Sequence, residues 1–244
     1  MTARPRPGGA VPGSRALDVL LACVGIILVS LLMLLIAIAI LIESGRPIFF
    51  AQTRLGQHGQ RFQLYKFRKF RKDANEGERP LTMRGDDRFS KVGHFLETTK
   101  LDELPQLYNI LKGEMAFVGP RPESLAFADC FRGDSLAVLA YRPGIFGPSQ
   151  VAFRNESLFY PPGSEPTGVY RQVLFPTKVQ LDLSYYPHRT LFTDCLWMLR
   201  GVLAVVGMYK NLATASPLAL EQALTGSSAG VGGTSAAPGF TGQT

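Results

Sequence analysis

The chain has 244 residues, with 26 Lys+Arg against 19 Asp+Glu, a formal net charge of +7. It is 46% hydrophobic but only 18% charged, below the ~25% usual for a soluble domain, and its apolar residues are too many and too widely spread for an intrinsically disordered chain. Cys23, Cys130 and Cys195 lie too far apart to suggest a disulfide framework or a zinc site, and fit a reducing compartment.

In chain order, residues 1–14 are rich in Pro and Gly and carry Arg4 and Arg6, so a disordered basic N-terminus is expected. Residues 15–45 predict a membrane helix, because Val19 to Ile42 is a run of 24 residues without a charge. As a helix that run covers ~36 Å, against ~30 Å of bilayer hydrocarbon. It exceeds the ~7–15-residue apolar region of a signal peptide and lacks the polar stripe of a soluble packing helix. Both flanks are basic: Arg4, Arg6 and Arg15 precede the run, and eight Lys or Arg fall between Arg46 and Lys72. Positive charge favours the cytoplasmic side for each flank. That leaves a re-entrant or interfacial helix with both ends cytoplasmic, or an ordinary span that exports only the short N-terminus.

Residues 46–212 read as one cytoplasmic domain of α+β class, predominantly helical with a small sheet or hairpin. Residues 47–52 and 62–67 are apolar-aromatic stretches around Gly56 and Gly59 and predict a hairpin. Residues 89–99 and 101–112 carry helical patterns, the second ending at Gly113. Gly119-Pro120-Arg121-Pro122 forces a loop, and residues 141–176, rich in Pro, Gly and aromatics, are expected to be mostly irregular. Residues 190–209 form an apolar helix with Asp194 and Arg200 as its only charges; it suits packing and membrane contact equally. Residues 213–244 are expected to be disordered.

The most pointed chemistry lies in Lys100-Leu101-Asp102-Glu103-Leu104-Pro105. Two carboxylates open a helical pattern; taken alone they complement a helix dipole. Adjacent helical residues point in different directions, which suits two separate jobs, nucleophile and metal ligand, and a carboxylate can carry a covalent phosphoryl group. Phosphoryl transfer also needs positive charge, usually Mg2+ with Arg or Lys. Lys66, Arg68, Arg71 and Arg88 precede the pair, and Arg121 follows it in a loop stiffened by two prolines and Gly119. Walker A, G-x-G-x-x-G and G-x-S-x-G patterns are absent from the sequence.

These segments together resemble the bacterial sugar transferases, monotopic polyprenyl-phosphate hexose-1-phosphate transferases. The likeness extends from about Arg15 to Gly207 and rests on ordered pieces: Arg15-Ala16-Leu17-Asp18, Pro47 to Gly56, Lys66-Phe67-Arg68, Asp87-Arg88 with Gly93, Leu101 to Gln106, Val118 to Pro122, Arg142 to Ile145, and Asp182 to Tyr185. The resemblance implies that Asp102 attacks the sugar-bearing phosphate of a nucleotide sugar and then passes the phosphosugar to a polyprenyl phosphate, usually undecaprenyl phosphate. It implies that Glu103 helps to hold Mg2+, that Lys66, Arg68, Arg88, Gly119, Pro120 and Arg121 serve phosphate binding, and that the enzyme sits at the bacterial inner membrane with its catalytic domain on the cytoplasmic side. Membrane lipid is an implied partner and nucleic acid is not.

Three features depart from the family pattern. Members often carry a Ser-Pro break midway in the membrane helix, whereas here Ser30 is followed by Leu31. Lys-Phe-Arg continues with Lys69-Phe70 where Thr or Ser and Met are usual. Glu97 and Thr98 stand where basic residues commonly precede the acid pair. The alternatives are an inactive member, in which Glu97 repels phosphate, and a non-catalytic membrane-anchored adaptor whose basic surface binds polyanions.

Overall fold

The computed structural model describes residues 11–74, 81–83, 85–161 and 163–205. Most of the two stretches expected to be disordered, residues 1–10 and 213–244, and the last four residues of the apolar 190–209 segment lie outside those.

The fold is α+β, mostly helical with two small sheets. Pro12 and Gly13 turn directly into α1 (Ser14–Ser44), one unbroken helix of 31 residues. At Ser30 the hydroxyl bonds back to the carbonyl of Ile27 at 2.9 Å, and helix continues on both sides. The predicted hairpin follows, β1 (Phe49–Leu55) antiparallel to β2 (Arg61–Phe67), in register from Phe49 opposite Phe67 to Leu55 opposite Arg61. Period-2 alternation puts Phe62 and Leu64 on the buried face of β2. They pack with Ala22 of α1 and with Leu107 and Ile110 of α3 (Gln106–Lys112).

Ser90 caps α2 (Lys91–Thr99) by accepting from the Gly93 amide. Lys100 then turns left-handed, φ 60°, and Leu101–Glu103 make a single 3-10 turn before α3. The predicted 101–112 helix is therefore interrupted: Pro105 can donate no amide hydrogen bond, and it becomes the residue capping α3 rather than one inside it. Gly113 ends α3 at φ 84°, the left-handed position that favours glycine.

Residues 141–176 are more ordered than their composition suggests. β4 (Gly144–Phe146) pairs in parallel with β3 (Ala116–Val118), and α4 (Pro148–Ala152) follows at once. From Pro166 the chain is continuously helical: α5 (Pro166–Val169), a π-wound turn over Tyr170–Leu174, then α6 (Phe175–Tyr185). Pro176 removes one ladder hydrogen bond just after the wide turn. Helix α7 (Leu191–Val205) closes the described chain. It buries Asp194, Gly201 and Ala204 and exposes Phe192, Leu199 and Val202, so one face packs, with Trp197 and Met198 beside Tyr141 and Tyr186.

Asn109 ties α3 to the hairpin. It is fully buried, accepts from the Tyr65 amide at 3.1 Å, and donates to the Gln63 carbonyl and to Glu114, both at 2.7 Å. An Asn109→Leu substitution keeps the volume but leaves the Tyr65 N–H and Gln63 C=O unpaired. It should cost about 2–4 kcal/mol, read as a lower melting temperature of the detergent-solubilised chain.

Candidate active site

Two backbone contacts that tolerate only glycine shape the site. A Cβ on Gly119 would lie 2.1 Å from the Arg142 carbonyl, and one on Gly144 would lie 2.1 Å from the Gly119 nitrogen. The strands β3 and β4 therefore run so close that Gly119 donates to Phe146, and Gly144 donates to Pro120. This explains why Val118 to Pro122 and Arg142 to Ile145 occur as a pair of motifs. Leu55 then donates to Glu123, laying residues 122–124 along the end of β1. Gly119 and Pro120 thus act through their backbone, aiming Arg121 into a cleft of about 680 Å3. The second contact is at Gly93, where a Cβ would overlap the Lys69 carbonyl, 1.7 Å away. Only glycine lets α2 dock on the strand extension after β2, and that docking carries Lys69 to Glu97.

The cleft interleaves bases and acids: Lys66, Lys69, Glu103, Arg121, Glu123 and Glu156 are among the side chains that line it. Lys66 donates to Glu103 at 2.7 Å and lies 3.8 Å from Asp102. Burial raises the Glu103 carboxyl, but Lys66 and Arg121 outweigh it and hold the group well below the usual carboxylate range. Arg121 is exposed to the cleft and, among the described residues, makes no hydrogen bond. Burial disfavours its charge, yet Glu103, Glu156 and Glu123 together push its pKa up. Its guanidinium is thus charged, accessible and unclaimed.

Asp102 differs. It is 1% exposed, and neither carboxylate oxygen has a hydrogen-bond partner. Burial raises its pKa against the pull of Lys66. The 3-10 turn presents Glu103 on the cleft wall and holds Asp102 behind it, because Leu101 and Leu104 on either side pack against a cluster that includes Ile36 and Ile40 of α1.

Two of the expected phosphate ligands do other work. Arg68 is buried and donates to the Ser44 and Gly45 carbonyls at 2.9 and 2.8 Å, satisfying the free C-terminal carbonyls of α1. Arg88 is buried, binds Asp86 from Nε at 2.8 Å and Nη2 at 2.6 Å, and stacks over Phe70 at 4.5 Å. Neither lines the cleft. Local sequence offered no way to tell these arginines from Lys66 and Arg121, since the distinction depends on which neighbours the fold brings up.

Glu97 carries a different correction. Lys69 and Lys100 both bind it, Lys100 at 2.8 Å. Despite burial, their charges hold its pKa at about 2. The two departures from the family pattern, Lys69 and Glu97, are thus the two halves of one ion pair, and the repulsion of phosphate expected from Glu97 is cancelled locally.

Sequence reasoning missed the acidic wall of the cleft. Tyr160 donates to Glu156 at 2.8 Å, and Lys178 donates to its other oxygen. Tyr170 also lines the cleft, and burial together with the nearby Glu123 and Glu156 charges pushes its phenol well above the usual value. These residues come from separate segments without periodicity, so only their convergence marks them.

Asp182, in one of the recognised motifs, is a positioning residue. It is buried and accepts from the Ser149 amide at 3.2 Å and hydroxyl at 3.0 Å, fixing the start of α4. Desolvation by burial raises its pKa to about 7 in spite of those bonds.

The cleft thus sets one uncommitted cation, Arg121, beside carboxylates that are paired or buried. The chain belongs to the bacterial sugar transferase family, which it matches over residues 11–208. It is 35% identical over 206 residues to the UDP-glucose:undecaprenyl-phosphate glucose-1-phosphate transferase of Caulobacter vibrioides, covering 81% of this chain and 73% of that protein. It is 32% identical to the exopolysaccharide production protein ExoY of Rhizobium meliloti, covering 84% and 89%. It is also 32% identical to the UDP-N-acetylgalactosamine-undecaprenyl-phosphate N-acetylgalactosaminephosphotransferase of Aeromonas hydrophila, of which it spans only 43%.

Because the folded pKa of Asp182 is above its unfolded value of 3.8, the native state binds the extra proton between 3.8 and about 7. Its contribution to stability is therefore present below that window and lost as pH rises through it. Asp182→Asn should remove this slope, so the variant gains on the parent between pH 4 and 7 in paired thermal-unfolding series.

Proposed function

We propose that this chain is a membrane-anchored phosphoglycosyl transferase, moving a sugar-1-phosphate from a UDP-sugar to undecaprenyl phosphate at the start of exopolysaccharide or related glycoconjugate assembly. The observation that carries the reading is Asp102. A buried carboxylate with two unpartnered oxygens is costly and is retained here within 3.8 Å of a lysine, behind a cleft wall that offers Arg121 free. The relatives' names supply the donor and acceptor classes.

In this mechanism a donor diphosphate enters between Lys66 and Arg121. Lys66 swings from Glu103 toward the phosphates, which uncovers Asp102. An Asp102 oxygen attacks the phosphorus bearing the sugar, the bond to the other phosphate breaks, and UMP leaves. An oxygen of undecaprenyl phosphate then attacks the same phosphorus, and the Asp102 carboxylate is released unchanged. Arg121 offsets the charge that gathers on the phosphoryl oxygens in each step. Its planar fork suits two of those oxygens at once.

The oxygen donors present suit Mg2+. Glu103 is the carboxylate that would hold it once Lys66 turns to the phosphates, while no group of three or more potential ligands gathers among the described residues. A hard cation held through one or two carboxylates and completed by substrate phosphates matches that donor set. When bound, the metal supplies further neutralisation of the diphosphate. The anchor is α1, and the basic flanks favour the cytoplasmic face of the bacterial inner membrane.

Membranes carrying the chain, given undecaprenyl phosphate and a panel of UDP-sugars, should release UMP with at least one donor. Asp102→Asn should lower that release on the order of a thousandfold or more with membrane association intact; undiminished release would reject Asp102 as nucleophile. Lys69→Ala should uncover Glu97 and raise the donor KM roughly tenfold, the effect of ~1.4 kcal/mol, whereas Glu97→Gln should leave KM within about threefold.

A further inference from the structure

One wall of the cleft, around Glu156, has no part in the phosphoryl transfer. Tyr160 donates to one oxygen of Glu156 at 2.8 Å, and Lys178 donates to the other. The pairing is lopsided. The Lys178 side chain is only 6% exposed, whereas that of Glu156 is 24% exposed and lines the cleft. Two rings enclose Lys178 further, its Nζ lying 4.6 Å from the centre of Tyr170 and 5.7 Å from that of Phe153. Lys178 is thus the supporting half of the pair, and the carboxylate is the half open to a ligand. Burial raises the Glu156 carboxyl, but Lys178 and Arg121 outweigh it and keep the group ionised, below the usual carboxylate range.

The helical winding builds this wall. In a regular helix Tyr170 and Lys178, eight residues apart, would point about 80° apart. The π-wound turn over Tyr170–Leu174 takes up about one extra residue and cuts that angle to roughly 20°. The lysine therefore lies over the tyrosine ring and still meets Glu156. Wide turns of this kind recur at functional sites. Aromatic faces complete the surface. Phe127 lies 4.2 Å from Tyr170 and Phe153 lies 5.1 Å from Phe159, ring centre to ring centre, and Phe127, Phe153 and Tyr170 all line the cleft.

A fixed carboxylate beside aromatic faces suits neither a phosphate nor a uracil. It repels the first. The second offers a single N–H between two carbonyl oxygens, which are acceptors like the carboxylate itself. An ionised carboxylate only accepts, so its complement is a neutral group with several O–H donors, and the rings suit the C–H face of a sugar. Arg121 fixes the order of the pieces. Glu103 and Glu156 both act on its charge, so a phosphate held at Arg121 lies near the acid pair and near Glu156 at once. In a nucleotide sugar, the sugar is the group joined directly to the phosphate that Asp102 attacks.

We infer that Glu156, held by Tyr160 and Lys178, reads the donor sugar: it accepts a hydrogen bond from a ring hydroxyl of a neutral hexose, whose carbons face Tyr170 and Phe153. This rests on the transferase reading of the cleft. A site built to bond a hydroxyl rejects the analogue that lacks it, because the buried acceptor is then left without its partner. Glu156 touches none of the reacting atoms, so its effect falls on donor binding and choice.

The test is equilibrium binding to the full, detergent-solubilised chain in Mg2+, with UDP, UDP-glucose, UDP-galactose and the two N-acetylhexosamine counterparts. Glu156→Gln should weaken at least one UDP-sugar about ten- to a hundredfold. UDP should bind at least as tightly as before, because a negative charge near the diphosphate is gone. Among monodeoxy analogues of that donor, one should bind the parent about as weakly as the intact donor binds Glu156→Gln. The two changes together should then cost little more than either alone, the mark of a shared contact. Additive losses at every ring position, or equal weakening of UDP and the UDP-sugars, overturn the inference. If the Gln variant fails to fold because Lys178 loses its partner, Glu156→Asp keeps the charge with one methylene fewer and must show the same selective loss. UMP release is scored on the same preparations: a hydroxyl coupled to Glu156 without release from any donor would reject the transferase reading and leave the sugar site standing.

Discussion

The seating of one stripe of α1 on α2, α3 and the β2 edge is the constraint on which the rest of the structure depends. The 3-10 turn with Asp102 and Glu103 owes its position to Leu101 and Leu104 resting on the same cluster as Ile36 and Ile40. The hairpin meets that surface through Phe62, Leu64 and Phe67. Burial of apolar side chains is non-directional and proportional to area. The directional part is supplied by Arg15, Asp18, Glu43 and Arg68, whose bonds at the helix ends set its register against the domain. A helix with no polar stripe of its own thereby acquires one correct face.

Charge is the second organising term. Between Arg46 and Lys100 the chain holds 13 basic and 6 acidic residues, but the fold divides that surplus by function. Arg68 holds the last carbonyls of α1, and Arg88 is paired with Asp86. Lys69 and Lys100 neutralise Glu97. Lys66 is held by Glu103, and Arg121 stays available. Burying a charge is tolerable where a partner and hydrogen bonds meet it. Asp102, which has a cation 3.8 Å away and no donor on either oxygen, is the exception, and exceptions of that kind gather at reactive sites.

Relatively few residues made the fold legible. Glycine and proline spacing located the hairpin, the end of α3 and the 119–122 loop, because each of those needs a backbone conformation that few residues adopt. The order within residues 141–185 was hidden. β4 is three residues long and exists only through Gly144 lying against Gly119, and the long helix from Pro166 opens with Pro and Gly residues that usually signal turns. Candidate site residues were legible where a rigid motif carried them, as with Asp102, Glu103 and Arg121. Glu123, Glu156 and Lys178 come from separate segments, and no local pattern could join them.

By itself the sequence determined that a long apolar helix precedes a basic α+β domain, and that an Asp-Glu pair and a stiffened Arg loop lie within it. Those are properties of composition, periodicity and backbone restriction, all of which act over a few residues. Only the tertiary structure decided that Arg68 and Arg88 lie outside the cleft, that Lys69 answers Glu97, that Asp102 stands behind Glu103, and that both ends of α1 bond to the same body. Each of these depends on which distant groups come within hydrogen-bonding or ion-pairing reach, and distance in space is what a linear chain does not record.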